Sequence, residues 1–301
     1  PGDYWVLSDR LPAPADPRAP IRVRQVSLWQ SALAIYAIAA DGHITGTASD
    51  TVGISRHIRL GAIVEHRFVP QRAPIVRLLW RVDGSANMRG IVVGARLADD
   101  ADSVRTDMLL TALYAGFFGL CAGLLLYNFA LWRVLHHDFQ IAYCGLLACL
   151  LIYALSSSGT LALLLPDLAN NHRILTSYVV LSWGMASALT FCACFFERRI
   201  LDGWPRRFLY AVITVFALLG GVMMAVGTVA IALFDLLYSL AMFVAPIAVM
   251  IVVWRAWRRR SDYLWLFALS WAAPMMMLVV RSLYNLGLLR WNFWIDNSTL
   301  L

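Results

Sequence analysis

The sequence predicts an all-β, jelly-roll-like sandwich followed by an all-α polytopic membrane bundle, and three observations carry that expectation. Of 301 residues, 60% are hydrophobic and 14% charged, with a mean hydropathy of +0.68. An ordinary soluble domain holds roughly 45–50% apolar and about 25% charged residues. The apolar excess is localised: short β-type runs broken by turn residues fill the first third, and long apolar runs fill the rest. All 25 basic residues are arginine, and nine of the 12 from Met108 onward cluster between alternate apolar runs.

The front part, residues 1–105, offers strands at Tyr4–Leu7, Arg22–Leu28, Leu33–Ala39, Ile63–Val69, Ile75–Val82 and Gly90–Leu97. They are separated by the proline-rich Leu11–Pro20, Asp41-Gly42, Asp50–Gly53, Pro70–Pro74 and Asp83-Gly84, where turn-forming residues concentrate. Arg22-Val23-Arg24-Gln25-Val26 alternates charged and apolar faces, the two-residue period of a half-buried strand. Strands at this spacing without a helical period predict an antiparallel sandwich or jelly roll. Trp5, Trp29 and Trp80 have two readings, as a platform on which a sugar ring stacks or as core.

Behind it, residues 108–301 supply six runs near the roughly 20 apolar residues that a crossing needs. They lie at about 108–132, 141–163, 174–196, 208–226, 229–254 and 263–289. Asp235 is the sole charge between Phe208 and Trp254, and that stretch is too long for one crossing, so it divides near Gly227-Thr228. One set of loops carries Arg133, Arg198, Arg199, Arg206, Arg207, Arg255, Arg258, Arg259 and Arg260; the short loops of the other set carry Arg173 and Arg290. The positive-inside rule places the first set in the cytoplasm and the β-rich front outside it. Met108 onward holds 12 Arg against 7 acids, compared with 13 against 11 ahead of it. Most of the +7 net charge therefore belongs to the apolar part, which argues against nucleic acid as a partner.

Five cysteines, Cys121, Cys144, Cys149, Cys192 and Cys194, sit in apolar runs with no metal-site spacing and read as small packing residues. The absence of lysine excludes Schiff-base chemistry. No histidine falls in a later span to serve as a base for Ser156-Ser157-Ser158-Gly159, and no cofactor, metal or catalytic centre is expected.

The order of parts, with Gly116-Phe117-Phe118-Gly119-Leu120, Tyr127-Asn128-Phe129 and Arg281-Ser282-Leu283-Tyr284-Asn285-Leu286-Gly287, resembles the bacterial seven-transmembrane receptors with diverse intracellular signalling modules. Tyr4-Trp5-Val6-Leu7 and Ile35-Tyr36 resemble that family's jelly-roll extracellular domain. The resemblance implies a sensory input module in the bacterial inner membrane, with the front domain periplasmic and a homodimeric full-length receptor. It also implies a seventh helix missing from this chain and a cytoplasmic output, a diguanylate cyclase or a histidine kinase, lying beyond it. The chain begins at Pro1 and reads as a processed or trimmed product.

Within the spans, Gly116, Gly119, Gly123 and Tyr127 share one helical face, either as a seam between copies or as packing inside one bundle. Asn128 is placed to hydrogen-bond a neighbouring helix. Asp235 and Arg281 lie roughly 9–12 Å below the outer surface and either pair or reach interfacial water separately. Pro246 and Pro274 kink their helices, as hinges or as fixed shape. The function expected is detection of an extracytoplasmic, carbohydrate-like ligand. The alternatives are a small-solute transporter, for which no internal repeat is visible, and a membrane subunit that senses nothing.

Overall fold

The computed structural model describes residues 2–12, 16, 18–71, 73–86, 90–196, 199–229 and 231–285. Among them, the front of the chain forms β1 (Gly2–Leu7), β2 (Ile21–Val26), β3 (Ala32–Ala39), β4 (Ile44–Asp50), α1 (Thr51–Arg56), β5 (Ile58–Arg59), β6 (Ile63–Phe68), β7 (Ile75–Ser85) and β8 (Arg96–Ala98). They build two antiparallel four-stranded sheets, in the orders β1-β7-β3-β4 and β5-β6-β2-β8. Alternation sends Leu33, Ile35 and Ala37 of β3 and Leu78, Trp80 and Val82 of β7 inward from one sheet. Val23 of β2 with Val64 and Phe68 of β6 come from the other, making one core. Burying each large apolar side chain contributes about 1.5–3 kcal/mol.

Three elements, β4, α1 and β5, stand where the sequence indicated no strand or helix. β4 escapes a pattern search because it lacks bulky alternating residues. Its Gly46 pairs with Tyr36, and a Cβ there would lie 2.5 Å from the Tyr36 ring, so glycine lets that ring lie across the strand. Asp50 is the N-cap of α1, its carboxylate accepting from the Gly53 amide at 2.7 Å. Conversely, the strand expected over Gly90–Leu97 shortens to β8, because Gly90 (φ 123°) and Gly94 (φ 62°) take conformations that break a strand.

The helices are α2 (Asp100–Leu135), α3 (Asp138–Ser157), α4 (Thr160–Leu164), α5 (Asn170–Phe195), α6 (Trp204–Val226), α7 (Ile231–Arg258) and α8 (Leu264–Asn285). Among the described residues, five are long and apolar enough to cross a membrane: α2, α3, α5, α6 and Leu233–Arg258 of α7. The sixth predicted span falls on α8, whose described apolar stretch is Phe267–Met277. α6 ends at Gly227 (φ 65°), where the long apolar run was divided. The second predicted span, 141–163, is interrupted: α3 stops at Ser157, Gly159 turns the chain at φ 81°, and α4 follows. Arg198, Arg290 and the Leu286-Gly287 end of the motif that begins at Arg281 lie outside the described residues.

Among the described residues, those from Gly2 to Tyr114 and from Leu155 to Ile174 belong to one compact unit, which therefore reaches past the expected boundary at residue 105. Those from Ala115 to Ala154 and from Leu175 to Asn285 belong to a second. The second unit has its own core, in which Leu189, Phe216 and Phe267 are buried and Phe267 meets Phe196 at 4.8 Å and Trp271 at 5.2 Å.

Candidate functional site

Within the first unit, two segments that continue into membrane-type helices are tied to the sandwich by buried polar groups. The first is the start of α2. The period of β2 puts Arg22 and Arg24 on the face opposite Val23, and the register sets Arg24 across from Glu65 of β6. Asp100, Ser103 and Asp107, spaced three and four apart, share one side of α2. Arg22 bridges the Glu65 carboxylate and Asp100, the latter at 2.6 Å. Arg24 reaches Glu65 at 3.3 Å and Asp107 at 2.8 Å. The Ser103 hydroxyl donates to Glu65 at 2.6 Å. The Arg24 and Glu65 side chains are only 1% and 3% exposed. Two acids in the first turn of α2 also suit the positive end of the helix dipole, and the Asp99 carboxylate accepts from the Asp102 amide at 2.7 Å.

Burial by itself pushes the Glu65 carboxyl up, but the hydrogen bonds from Ser103 and Arg22 and the Arg24 charge outweigh it and hold the group below the ordinary carboxylate range. The Arg22 guanidinium is raised by its bonds to Asp100 and Glu65. Glu65 is thus a fixed anion around which two strands and the head of α2 are clamped.

The second segment runs from Leu155 to Ile174. The Ser158 carbonyl accepts from both the Gly61 and Ala62 amides, at 2.8 and 2.9 Å. Ala162 of α4 enters the sandwich core. The Ser55 hydroxyl donates to the Leu168 carbonyl at 2.6 Å, and Arg56 meets Asp167 at 2.7 Å on the surface. At the head of α5, fully buried Asn170 accepts from the Ser27 hydroxyl at 2.6 Å and donates to the Leu28 carbonyl at 2.9 Å. Arg173 donates to Ser27 at 2.9 Å, to Asn170 at 3.0 Å and to the Ser156 carbonyl. A cation in the first turn of a helix runs against the helix dipole. Its contacts rather than helix electrostatics account for Arg173.

Gly159 is required at this contact. Its φ is +81°, and a Cβ would lie 2.7 Å from Ile58 Cγ2 and 2.9 Å from the Arg59 carbonyl oxygen. Gly159→Ala is expected to cost about 2 kcal/mol, from left-handed backbone and the clash together. A thermal melt of the full chain in nanodiscs checks this, with Gly221→Ala, where nothing lies within 4 Å of a Cβ, as the control.

The residues singled out by sequence are dispersed. Trp29 and Trp80 are 4% and 5% exposed, so their rings belong to the interior and the three tryptophans form no shared platform. Trp5 is 60% exposed, stacked on Tyr36 at 6.2 Å and covered at 5.6 Å by the Arg81 guanidinium, itself paired with Asp83. Among the described residues, no atom lies within 4 Å of a Cβ built on Gly116, Gly119 or Gly123, and Tyr127 is exposed. Asn128 donates to the Leu124 carbonyl of its own helix at 2.8 Å, not to a neighbour. In the second unit Asp235 accepts from the Tyr178 hydroxyl at 2.6 Å, and Tyr178 meets Tyr238 edge-on at 4.9 Å. Pro246 lies inside α7. Pro274 and Arg281 fall on α8, with side chains outside the described residues. Sequence reading missed Glu65, Ser27, Asn170 and Arg173; the visible signals were the Arg22/Arg24 alternation, the Asp100, Ser103, Asp107 spacing and an arginine at the wrong end of a helix.

No curated protein and no solved structure matches the chain. The family model described as 7TM diverse intracellular signalling matches residues 110–301, from the first turns of α2 onward. By that match, which covers well over half of its length, the chain belongs to the 7TM diverse intracellular signalling family and is a multi-pass membrane protein of receptor type.

Proposed function

We propose that the chain is the input part of a bacterial inner-membrane receptor, with the sandwich on the periplasmic side. In this reading, ligand binding to the sandwich shifts α2 and the 155–174 segment, and the bundle passes that change to a cytoplasmic diguanylate cyclase or histidine kinase. The supporting observation is that buried charge and hydrogen bonds fix both segments to the sandwich, Glu65 holding α2 and Arg173 with Asn170 holding the other. Arg199, Arg206, Arg207, Arg255, Arg258 and Arg259 support the orientation, since arginine collects on the cytoplasmic side. We assign the chain no catalysis of its own, and a homodimer as its working state.

The ligand is carbohydrate-like and binds at Trp5 and Tyr36, whose stacked, solvent-facing rings suit the apolar face of a sugar, with Arg81 alongside as a donor. Trp5→Ala is expected to weaken binding of a neutral oligosaccharide at least tenfold, while Trp80→Phe, a core change, alters stability instead. Titration of a panel of oligosaccharides against the full chain in nanodiscs, followed by intrinsic fluorescence, reads this. A bound sugar unaffected by Trp5→Ala would move the site elsewhere on the sandwich.

A further inference from the structure

His66 and His57 form a pair that the receptor reading leaves unused. His66 is 2% exposed on the inner face of β6, the face that also carries Val64 and Phe68, and it stands across from Val23. Neither of its ring nitrogens has a hydrogen-bond partner among the described residues. Its ring is stacked on that of His57, centroids 4.4 Å apart and planes 15° from parallel. His57 is solvent-exposed at the C-terminal end of α1, its Nδ1 2.8 Å from the Gly53 carbonyl and its own carbonyl accepting from the Glu65 amide at 2.9 Å.

The charged groups acting on His66 are His57, from the α1 side, and Glu65, its neighbour on β6. Glu65 points to the opposite face of the sheet and is already engaged by Arg22, Arg24 and, at 3.7 Å, Arg59 of β5. From the facing sheet the residues of this core are apolar, while β2 contributes apolar Val23 and, on the same face, buried Gln25, whose Oε1 has no hydrogen-bond partner among the described residues. An imidazolium at His66 would therefore meet no carboxylate on this face, and a second one at His57 would place two like charges ring against ring.

We propose that the His57–His66 stack is an acid-released latch: protonation parts the rings and frees α1 and β5 from β6, loosening the hold on the 155–174 segment. This rests on the receptor reading in one respect, that the segment carries a signal. The connection is structural, because Ser55 and Arg56 of α1 bind Leu168 and Asp167, and the turn after β5 donates to Ser158. The latch is closed when neutral. Burial, and secondarily His57, lower His66 to about 4, against about 6.5 for an unperturbed imidazole. The closed state is thus fully favoured above pH 6.5 and loses ground as pH falls from 6.5 towards 4, where the opened form takes up the proton.

Hydrogen exchange of the full chain in nanodiscs, corrected for the intrinsic pH dependence of exchange, tests the latch. Between pH 7.5 and 5, protection of residues 51–66 and 158–170 is expected to fall by about 30-fold. In His66→Gln the protection of these segments should not depend on pH over this range, whatever its absolute level. In His57→Phe the ring contact remains without the second imidazole, and the acid loss should still begin near pH 6.5 but level off at higher pH and be smaller than in the wild-type chain. Constant protection in the wild-type chain, or an equal acid loss in His66→Gln, overturns the latch. Because opening is read directly, the latch stands or falls independently of whether an attached output domain responds.

Discussion

Glu65→Gln is expected to destabilise the sandwich unit by about 3 kcal/mol, with the loss of protection concentrated in the first turns of α2. Breaking a buried ion pair by removing one partner costs about 3–5 kcal/mol, because the remaining charge is left without compensation in a site that water does not reach. The lower end applies because Arg24, 1% exposed, keeps Asp107 at 2.8 Å. Glutamine preserves the shape and can still accept from Ser103, so the difference isolates the charge. Glu65→Gln combined with Arg24→Met should recover much of the loss, since removing both buried charges removes the uncompensated one. Denaturation of the wild-type and variant chains, alongside hydrogen exchange at residues 100–110, provides the measurement. Equal stability of Glu65→Gln and wild type would mean that the clamp contributes nothing.

The same pair of proteins yields a pH test whose sign is fixed. Because the folded Glu65 carboxyl is held below its ordinary value, its stabilisation is complete above the unfolded carboxylate range. It disappears as pH falls through the lower, folded value. The gap between wild type and Glu65→Gln should therefore be constant near neutrality and close only in strong acid. His66 acts in a separate window, between pH 6.5 and 4, so the two effects can be resolved in one titration.

What the sequence shows and hides follows from the range of each interaction. Strands such as β3 and β7 are legible because their apolar alternation is local, and the long helices because a bilayer demands a continuous apolar run. β4 is hidden because Gly46 serves a ring on another strand. The three tryptophans look alike in sequence, yet only the two-residue period relative to their sheet separates exposed Trp5 from buried Trp80. Asp235 accepts from a tyrosine hydroxyl 57 residues away, a partner that a count of charges does not suggest. Ser27 and Arg173 are 146 residues apart, and nothing local marks either as the partner of the other. The partial sign is negative evidence: Arg173 stands in the first turn of α5, the end at which the helix dipole disfavours a cation.

That misplacement makes Arg173 the more informative residue to change. Arg173→Met keeps an unbranched apolar stem and removes the guanidinium donors, leaving Ser27, Asn170 and the Ser156 carbonyl without them in a buried site. Hydrogen bonds from a charged donor contribute about 1.5–3 kcal/mol, and stranded acceptors add their own desolvation cost. The dipole penalty that the variant relieves returns only about 0.3–1 kcal/mol. A net loss of about 3 kcal/mol is therefore expected, seen as faster exchange at residues 26–30, 55–62 and 158–170. Arg173→Lys is the discriminating control. It keeps the cation but not the planar fork that reaches several acceptors together, and should recover less than half of the loss. If lysine restores full stability, position 173 needs a charge rather than this geometry. If methionine costs nothing, the 155–174 segment is held by Ala162 and the Ser158 carbonyl, and signal transfer through Arg173 is excluded.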